Sequence, residues 1–219
     1  MGANTSFVHP AVQRVRAELG LPESGRIVLY SGRFGADHPL ELLLEAAPLV
    51  MDLVKTIHFV LIGDGPTRHR LEAECRRRRL DAAVIFAGDV PREQMEKFVY
   101  SCDVGLYLVR TVGSTPRTFA VDEFYDYLKA GRPLAVVSDI ADARCFVQAN
   151  DCGSAQPITH VPTTDVGNVA KALASLMLDD RSRIRKGENA RALGRALVRT
   201  TSGGVLDVVR ATLRKAASL

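Results

Sequence analysis

Short, uninterrupted apolar runs alternate with amphipathic stretches along most of this chain, and that alternation limits its fold more than any other feature. The runs are Arg26–Ser31 (RIVLYS), Ile57–Ile62 (IHFVLI), Ala83–Ala87 (AVIFA), Asp103–Val109 (DVGLYLV) and Pro133–Ser138 (PLAVVS). A strand with one wet face alternates apolar and polar residues, whereas a strand covered on both faces reads as a continuous apolar run. Between the runs, Leu40, Leu43, Ala47 and Val50 fall at helical spacing within Pro39–Val54, and proline suits a first helical turn. Further helices are predicted from Thr67 to about Leu80, over Pro91–Ser101, over Asp122–Ala130 with Gly131 closing it, and over Ile140–Asn150. A weak sixth strand is expected at Cys152–Gln156. An amphipathic helix follows through Val166, Val169, Ala170, Leu173 and Met177, then a helical tail from Arg181 to Leu219 broken at Ser202-Gly203-Gly204. Right-handed crossovers between parallel strands make one solution economical. It is an α/β fold, a doubly wound (Rossmann-like) parallel sheet of about six strands with helices on both faces. Residues 1–25 form a lead-in segment and helix, 26–180 the sheet domain, and 181–219 a C-terminal helical extension.

Composition excludes several classes. The 219 residues carry a net charge of +4, too mild for a dedicated nucleic-acid binder, so no nucleic-acid partner is expected. Much of the excess sits in Arg68-His69-Arg70 and Arg76-Arg77-Arg78-Arg79, read as a solvated helix face, with attraction to an anionic membrane surface as the lesser reading. Four cysteines at no zinc-like spacing read as reduced, mostly buried thiols. No signal peptide or membrane-length apolar run is visible, which points to the cytoplasm or the cytoplasmic face of a membrane. None of the five histidines forms a metal-ligand pair, so no metal site is expected. No GxGxxG follows the first run, which argues against a nicotinamide or flavin enzyme. No P-loop lysine, nucleophile elbow or triad is readable.

In an open α/β sheet, ligands bind beyond the carboxyl ends of the strands, where strand order reverses. For the order 3-2-1-4-5-6 that crevice lies between the first and fourth strands. Its loops are Gly32–Pro39 and Arg110–Ala120. Glycine permits a sharp turn at Gly32, and Arg33 can fork two donors onto a phosphate; as a bare dipeptide the pair reads first as a turn glycine beside a surface arginine. His38 stands in the same loop. The helix start at Asp122 offers free N–H groups to an anion, opposed by the charges of Asp122 and Glu123. Gly63-Asp64-Gly65-Pro66 is a tight strand-to-helix turn that could also let a ligand approach the backbone. Asp126 is either a ribose-binding carboxylate or a solvent-facing one.

Tyr30-Ser31-Gly32-Arg33-Phe34, Leu61-Ile62-Gly63-Asp64-Gly65-Pro66, Val84 to Pro91 and Tyr127-Leu128-Lys129-Ala130-Gly131-Arg132-Pro133 together resemble the C-terminal domain of the retaining group 1 glycosyltransferases. Arg16 to Pro22 is similar to that domain's lead-in helix. The resemblance implies one half of a two-domain GT-B architecture that binds a nucleoside-diphosphate sugar and transfers the sugar with retention, needing no metal or further cofactor. It assigns phosphate to Arg33, with Gly32 in its turn and His38 as a helper. It assigns ribose to Asp126, the pocket's shape to Gly63, Asp64 and Gly65, and the base to backbone near Val90. Thr118 aligns with the first of the family's two glutamates and Asp126 with the second. His38 replaces a lysine, and Glu123 stands where members lacking the first glutamate carry a lysine. No catalytic residue is assigned within this chain. The family's N-terminal domain supplies the acceptor site, so a missing N-terminal domain or partner subunit is implied. The alternatives are a catalytically inactive glycosyltransferase-like module acting through protein–protein interaction, and a sugar-nucleotide epimerase.

Overall fold

The computed structural model describes residues 15–22, 24–112, 122–141, 143, 144, 147, 158–161 and 165–199. Six strands form one sheet: β1 (Arg26–Ser31), β2 (Ile57–Ile62), β3 (Val84–Gly88), β4 (Val104–Val109), β5 (Leu134–Ser138) and β6 (Ile158–Val161). Every pairing is parallel and the order is β3-β2-β1-β4-β5-β6. The described helices are α1 (Leu40–Leu53), α2 (Arg68–Arg77), α3 (Arg92–Ser101), α4 (Asp122–Lys129), α5 (Val166–Leu178) and α6 (Asp180–Arg199). The doubly wound reading holds.

The sixth strand corrects the sequence reading. It is Ile158–Val161, not Cys152–Gln156, and the latter lie outside the described residues. ITHV contains three β-branched residues, Ile158, Thr159 and Val161. Among the described strands it lies at the sheet edge and pairs only with β5, so four residues suffice.

Two cores flank the sheet, and the continuous apolar runs explain why. Side chains alternate across a strand, so each run feeds both faces. In β1, Val28 and Tyr30 join the core made with α1, α2 and α5, whereas Ile27 and Leu29 join the core made with α3, α4 and α6. Helix α5 starts at a true cap: the Asp165 carboxylate accepts the Asn168 backbone N–H at 3.0 Å. Helix α6 lies close on α4, where a Cβ on Gly194 would stand 3.0 Å from the Lys129 nitrogen.

Much of the basic run is paired with nearby acids on an exposed helix face. Arg68 pairs with Asp64 and Glu72, Arg70 with Glu41, Arg77 with Glu74, and Arg78 with Glu45 and Glu74. A second charge cluster sits at the amino ends of β1 and β4. The Asp103 carboxylate accepts the Ile27 N–H at 2.9 Å and lies 3.3 Å from Arg26, 3.5 Å from Arg183 and 3.8 Å from Arg16. Asp180 joins it through Arg26 at 2.5 Å and Arg183 at 2.6 Å. Cys75 and Cys102 are buried free thiols, pushed up to about 11 and about 12 by burial. No described helix is long and apolar enough to cross a membrane.

Burial holds the imidazoles of His58 and His160 below their ordinary value of 6.5, with Arg16 and Arg144 acting in the same direction on each. The unfolded chain therefore takes up protons at these rings first as pH falls through about 6.5. Stability conferred by the neutral rings is present above that pH and lost as pH falls toward their lower folded values. Denaturant midpoints measured between pH 7.5 and 5 should fall, and His58→Gln should flatten the slope; an unchanged slope rejects His58 as a contributor.

Candidate functional site

The loops leaving β1 and β2 run side by side and share backbone hydrogen bonds. Gly32 N–H donates to Ile62 O at 3.0 Å, Phe34 N–H to Asp64 O at 2.9 Å, and Thr67 N–H to Phe34 O at 3.2 Å. A Cβ on Gly63 would come 2.0 Å from Gly32 O, and one on Gly65 would come 2.3 Å from Phe34 O. Gly63 has φ +125°, in the region that favours glycine. These glycines thus admit the neighbouring loop's backbone. Phe34 fixes the junction from below: it is fully buried, with its ring 6.1 Å from that of Tyr30 and 6.2 Å from that of Phe86. Asp64 turns one carboxylate oxygen to the Gly65 N–H at 2.7 Å and the other toward Arg68 at 3.5 Å, which closes the entry to α2.

The same β1 loop is tied across the switch point to β4. His38 Nδ1 lies 2.8 Å from Leu108 O. A carbonyl only accepts, so Nδ1 carries the proton and Nε2 is the ring nitrogen left over. The ring is 5% exposed, and Nε2 is 3.7 Å from Asp37 Oδ2. Just past β4, Arg110 donates its backbone N–H to Asp37 O at 2.9 Å and its Nε–H to Ala36 O at 2.8 Å. Thr111 N–H then donates to Asp139, past the end of β5, at 2.9 Å. The carboxyl ends of β1, β4 and β5 become one hydrogen-bonded rim. Arg33 stands exposed on it: its carbonyl accepts the Tyr30 hydroxyl at 2.9 Å, while its guanidinium makes no hydrogen bond or ion pair to another described residue.

The structure therefore gathers Gly32, Arg33, His38, Gly63, Asp64 and Gly65 at the carboxyl ends of β1 and β2. Val90 follows β3, half-buried against the second core. Asp126 lies apart, on α4. It pairs with Lys129 at 3.5 Å and lines a groove of about 160 Å³ between α3 and α4, with Arg92, Glu93, Met95 and Glu96. Ligand pockets usually exceed about 300 Å³; this groove suits a ribose-sized group, not a whole nucleotide. Thr118 and the side chain of Glu123 lie outside the described residues. Sequence reasoning named the loop from Arg110 onward but not Arg110 or Asp139. The only signal was Arg110's place directly after the fourth apolar run.

Doubly wound domains bind their ligands at this switch point, and here a guanidinium stands on its rim. The chain belongs to the group 1 glycosyl transferase family, whose model matches residues 12–193. An α-D-kanosaminyltransferase of Streptomyces kanamyceticus is 27% identical over 92% of this chain and 50% of its own. Among solved structures, HepE of Anabaena in complex with UDP has a TM-score of 0.69 at 15% identity, covering 96% of this chain and 54% of that chain. The C-terminal domain of LpcC, a group 1 family glycosyl transferase of Francisella tularensis, has a TM-score of 0.67 at 16% identity, covering 89% of this chain and 97% of that domain. At such identities the likeness is one of fold, that of one Rossmann-like half of the GT-B architecture. The matched segments span 18% to 50% of the lengths of the curated relatives.

Proposed function

We propose that this chain is the donor-binding domain of a glycosyltransferase. It holds a nucleoside-diphosphate sugar in the crevice between β1 and β4. The sugar passes to an acceptor, with retention and without a metal, when a second GT-B domain or partner subunit faces the crevice. The observation that carries this reading is Arg33, an uncommitted guanidinium raised on a rim whose loops are fixed on both sides. In the proposed role Arg33 forks onto the diphosphate. His38 helps as the imidazolium, whose Nε2–H donates to a phosphate oxygen while Nδ1–H stays on Leu108 O. Asp126 accepts from the ribose hydroxyls in exchange for its contact with Lys129. Gly32, Gly63, Asp64 and Gly65 form the floor, and backbone at Val90 borders the base. The family membership and the UDP complex of HepE support this assignment.

Calorimetric titration with UDP, GDP and ADP tests it. At least one nucleotide should bind, and Arg33→Ala should weaken it by about ten-fold to a hundred-fold, as loss of a charge-assisted bidentate contact does. Far-ultraviolet circular dichroism should be unchanged, since the Arg33 side chain is exposed and Tyr30 bonds only its backbone carbonyl, which alanine retains. Absence of heat with all three nucleotides on folded protein would reject donor binding and leave the non-catalytic module.

A further inference from the structure

A cavity of about 320 Å³ opens at the amino ends of β4 and β5, the opposite end of the sheet from the crevice. It is lined by Asp103, Arg132, Arg183, Glu188 and Arg191, among others. The bookkeeping of charge there is uneven. Asp103 is shared among Arg16, Arg26 and Arg183, and among the described residues it makes no ion pair with the other two arginines. That leaves the guanidiniums of Arg132 and Arg191 against the single carboxylate of Glu188. Among the described residues, each guanidinium is anchored through one nitrogen only. Arg132 donates an Nη2 hydrogen to Tyr100 O, and Arg191 donates one to Ala130 O at 3.2 Å. The Nε–H of Arg132 is buried and has no hydrogen-bond partner, a costly state for a charged donor. The wall between them is glycine on both sides. A Cβ on Gly187 would come 2.5 Å from Gly131 O, and a Cβ on Gly131 would come 3.0 Å from the Arg191 guanidinium. Backbone contact thereby fixes α6 against the entry to β5 and sets the two arginines on one opening. On the solvent face of α6, Arg181, Arg185 and Arg195 are exposed and add a positive field.

We propose that this cavity is a second anion site, which takes a phosphate group through the forks of Arg132 and Arg191. The inference does not rest on the donor reading, since it uses no residue of the crevice. The phosphate could belong to a small phosphorylated molecule or to a lipid headgroup, and both present the same tetrahedral oxyanion.

Inorganic phosphate, titrated into the full chain at low ionic strength with Arg33→Ala as background, isolates this site from the crevice. Binding should persist in that background, weaken by about ten-fold in Arg191→Gln, and strengthen several-fold, roughly, in Glu188→Gln, which removes the opposing charge. Arg191 and Glu188 are exposed, so neither change should unfold the chain, and circular dichroism checks this. Co-sedimentation with phosphatidylcholine vesicles, with and without phosphatidic acid, distinguishes the sources. Arg191-dependent binding only to the acidic vesicles assigns a headgroup; binding of soluble phosphate alone assigns a small molecule. Phosphate binding that vanishes with Arg33→Ala, or that ignores both Arg191→Gln and Glu188→Gln, overturns the proposal.

Discussion

Gly63→Ala should cost about 3 kcal/mol or more and disable the crevice even where the chain still folds. Two effects add. The alanine Cβ would be driven to 2.0 Å from Gly32 O, a backbone atom held by its own hydrogen-bonded neighbours. The backbone at φ +125° is also one that an L side chain adopts only under strain. Relief requires the β1 and β2 loops to part, which breaks the Phe34 N–H to Asp64 O and Gly32 N–H to Ile62 O bonds and moves Arg33. Against a domain stability of about 5–15 kcal/mol the loss is large. Urea unfolding should show a lower midpoint, and residual folded protein should bind nucleotide more weakly than wild type. A wild-type midpoint would mean that the two loops are not in contact.

Gly105→Ala should destabilise by about 2–3 kcal/mol through overpacking, without touching the crevice directly. A Cβ here would lie 2.6 Å from the Tyr127 ring and 3.0 Å from Leu134. That ring cannot swing away: it is 1% exposed, its hydroxyl donates to Leu29 O at 3.1 Å, and Ser31 Oγ lies 3.2 Å off. Burial, first of all, pushes the Tyr127 hydroxyl far above its ordinary value, so it stays a neutral donor. Tyr127→Leu alone leaves a cavity and strands the Leu29 acceptor, at a cost of about 3 kcal/mol. Combined, the two changes should cost less than their sum, because the smaller side chain vacates the space the alanine needs. Strict additivity in thermal or urea unfolding would show that Gly105 and Tyr127 do not share a boundary.

The sheet was legible because burial on both faces writes itself into sequence as unbroken apolar runs, and parallel topology leaves few ways to order them. The short edge strand was not. Ile158–Val161 has one neighbour and little to bury, so its pattern is too brief to stand out. The site was legible as a place and less so as a set of roles. Gly63 and Gly65 announced a close approach, and the structure identifies the approaching group as the Gly32–Phe34 backbone. His38 stood in the right loop, but its ring nitrogen reaches a carbonyl of a strand seventy residues away, a pairing no local spacing encodes. The ties from Arg110 to Ala36 and from Thr111 to Asp139 are equally non-local. The arginine run, by contrast, was read well, since its partners lie mainly at helical spacing within α2, with Glu41 and Glu45 of α1 close by.

Asp103 gives the domain a clasp. Arg16 comes from the lead-in segment, Arg183 from the last described helix, and both meet this carboxylate, itself only 15% exposed. Ion pairs this shielded count for more than exposed ones. The early and late parts of the chain therefore cannot peel away independently: fraying of either leaves the other facing an under-neutralised carboxylate. Local opening at the two ends becomes one event, and the sheet's first and fourth strands, joined at Ile27 and Asp103, sit behind that shared latch.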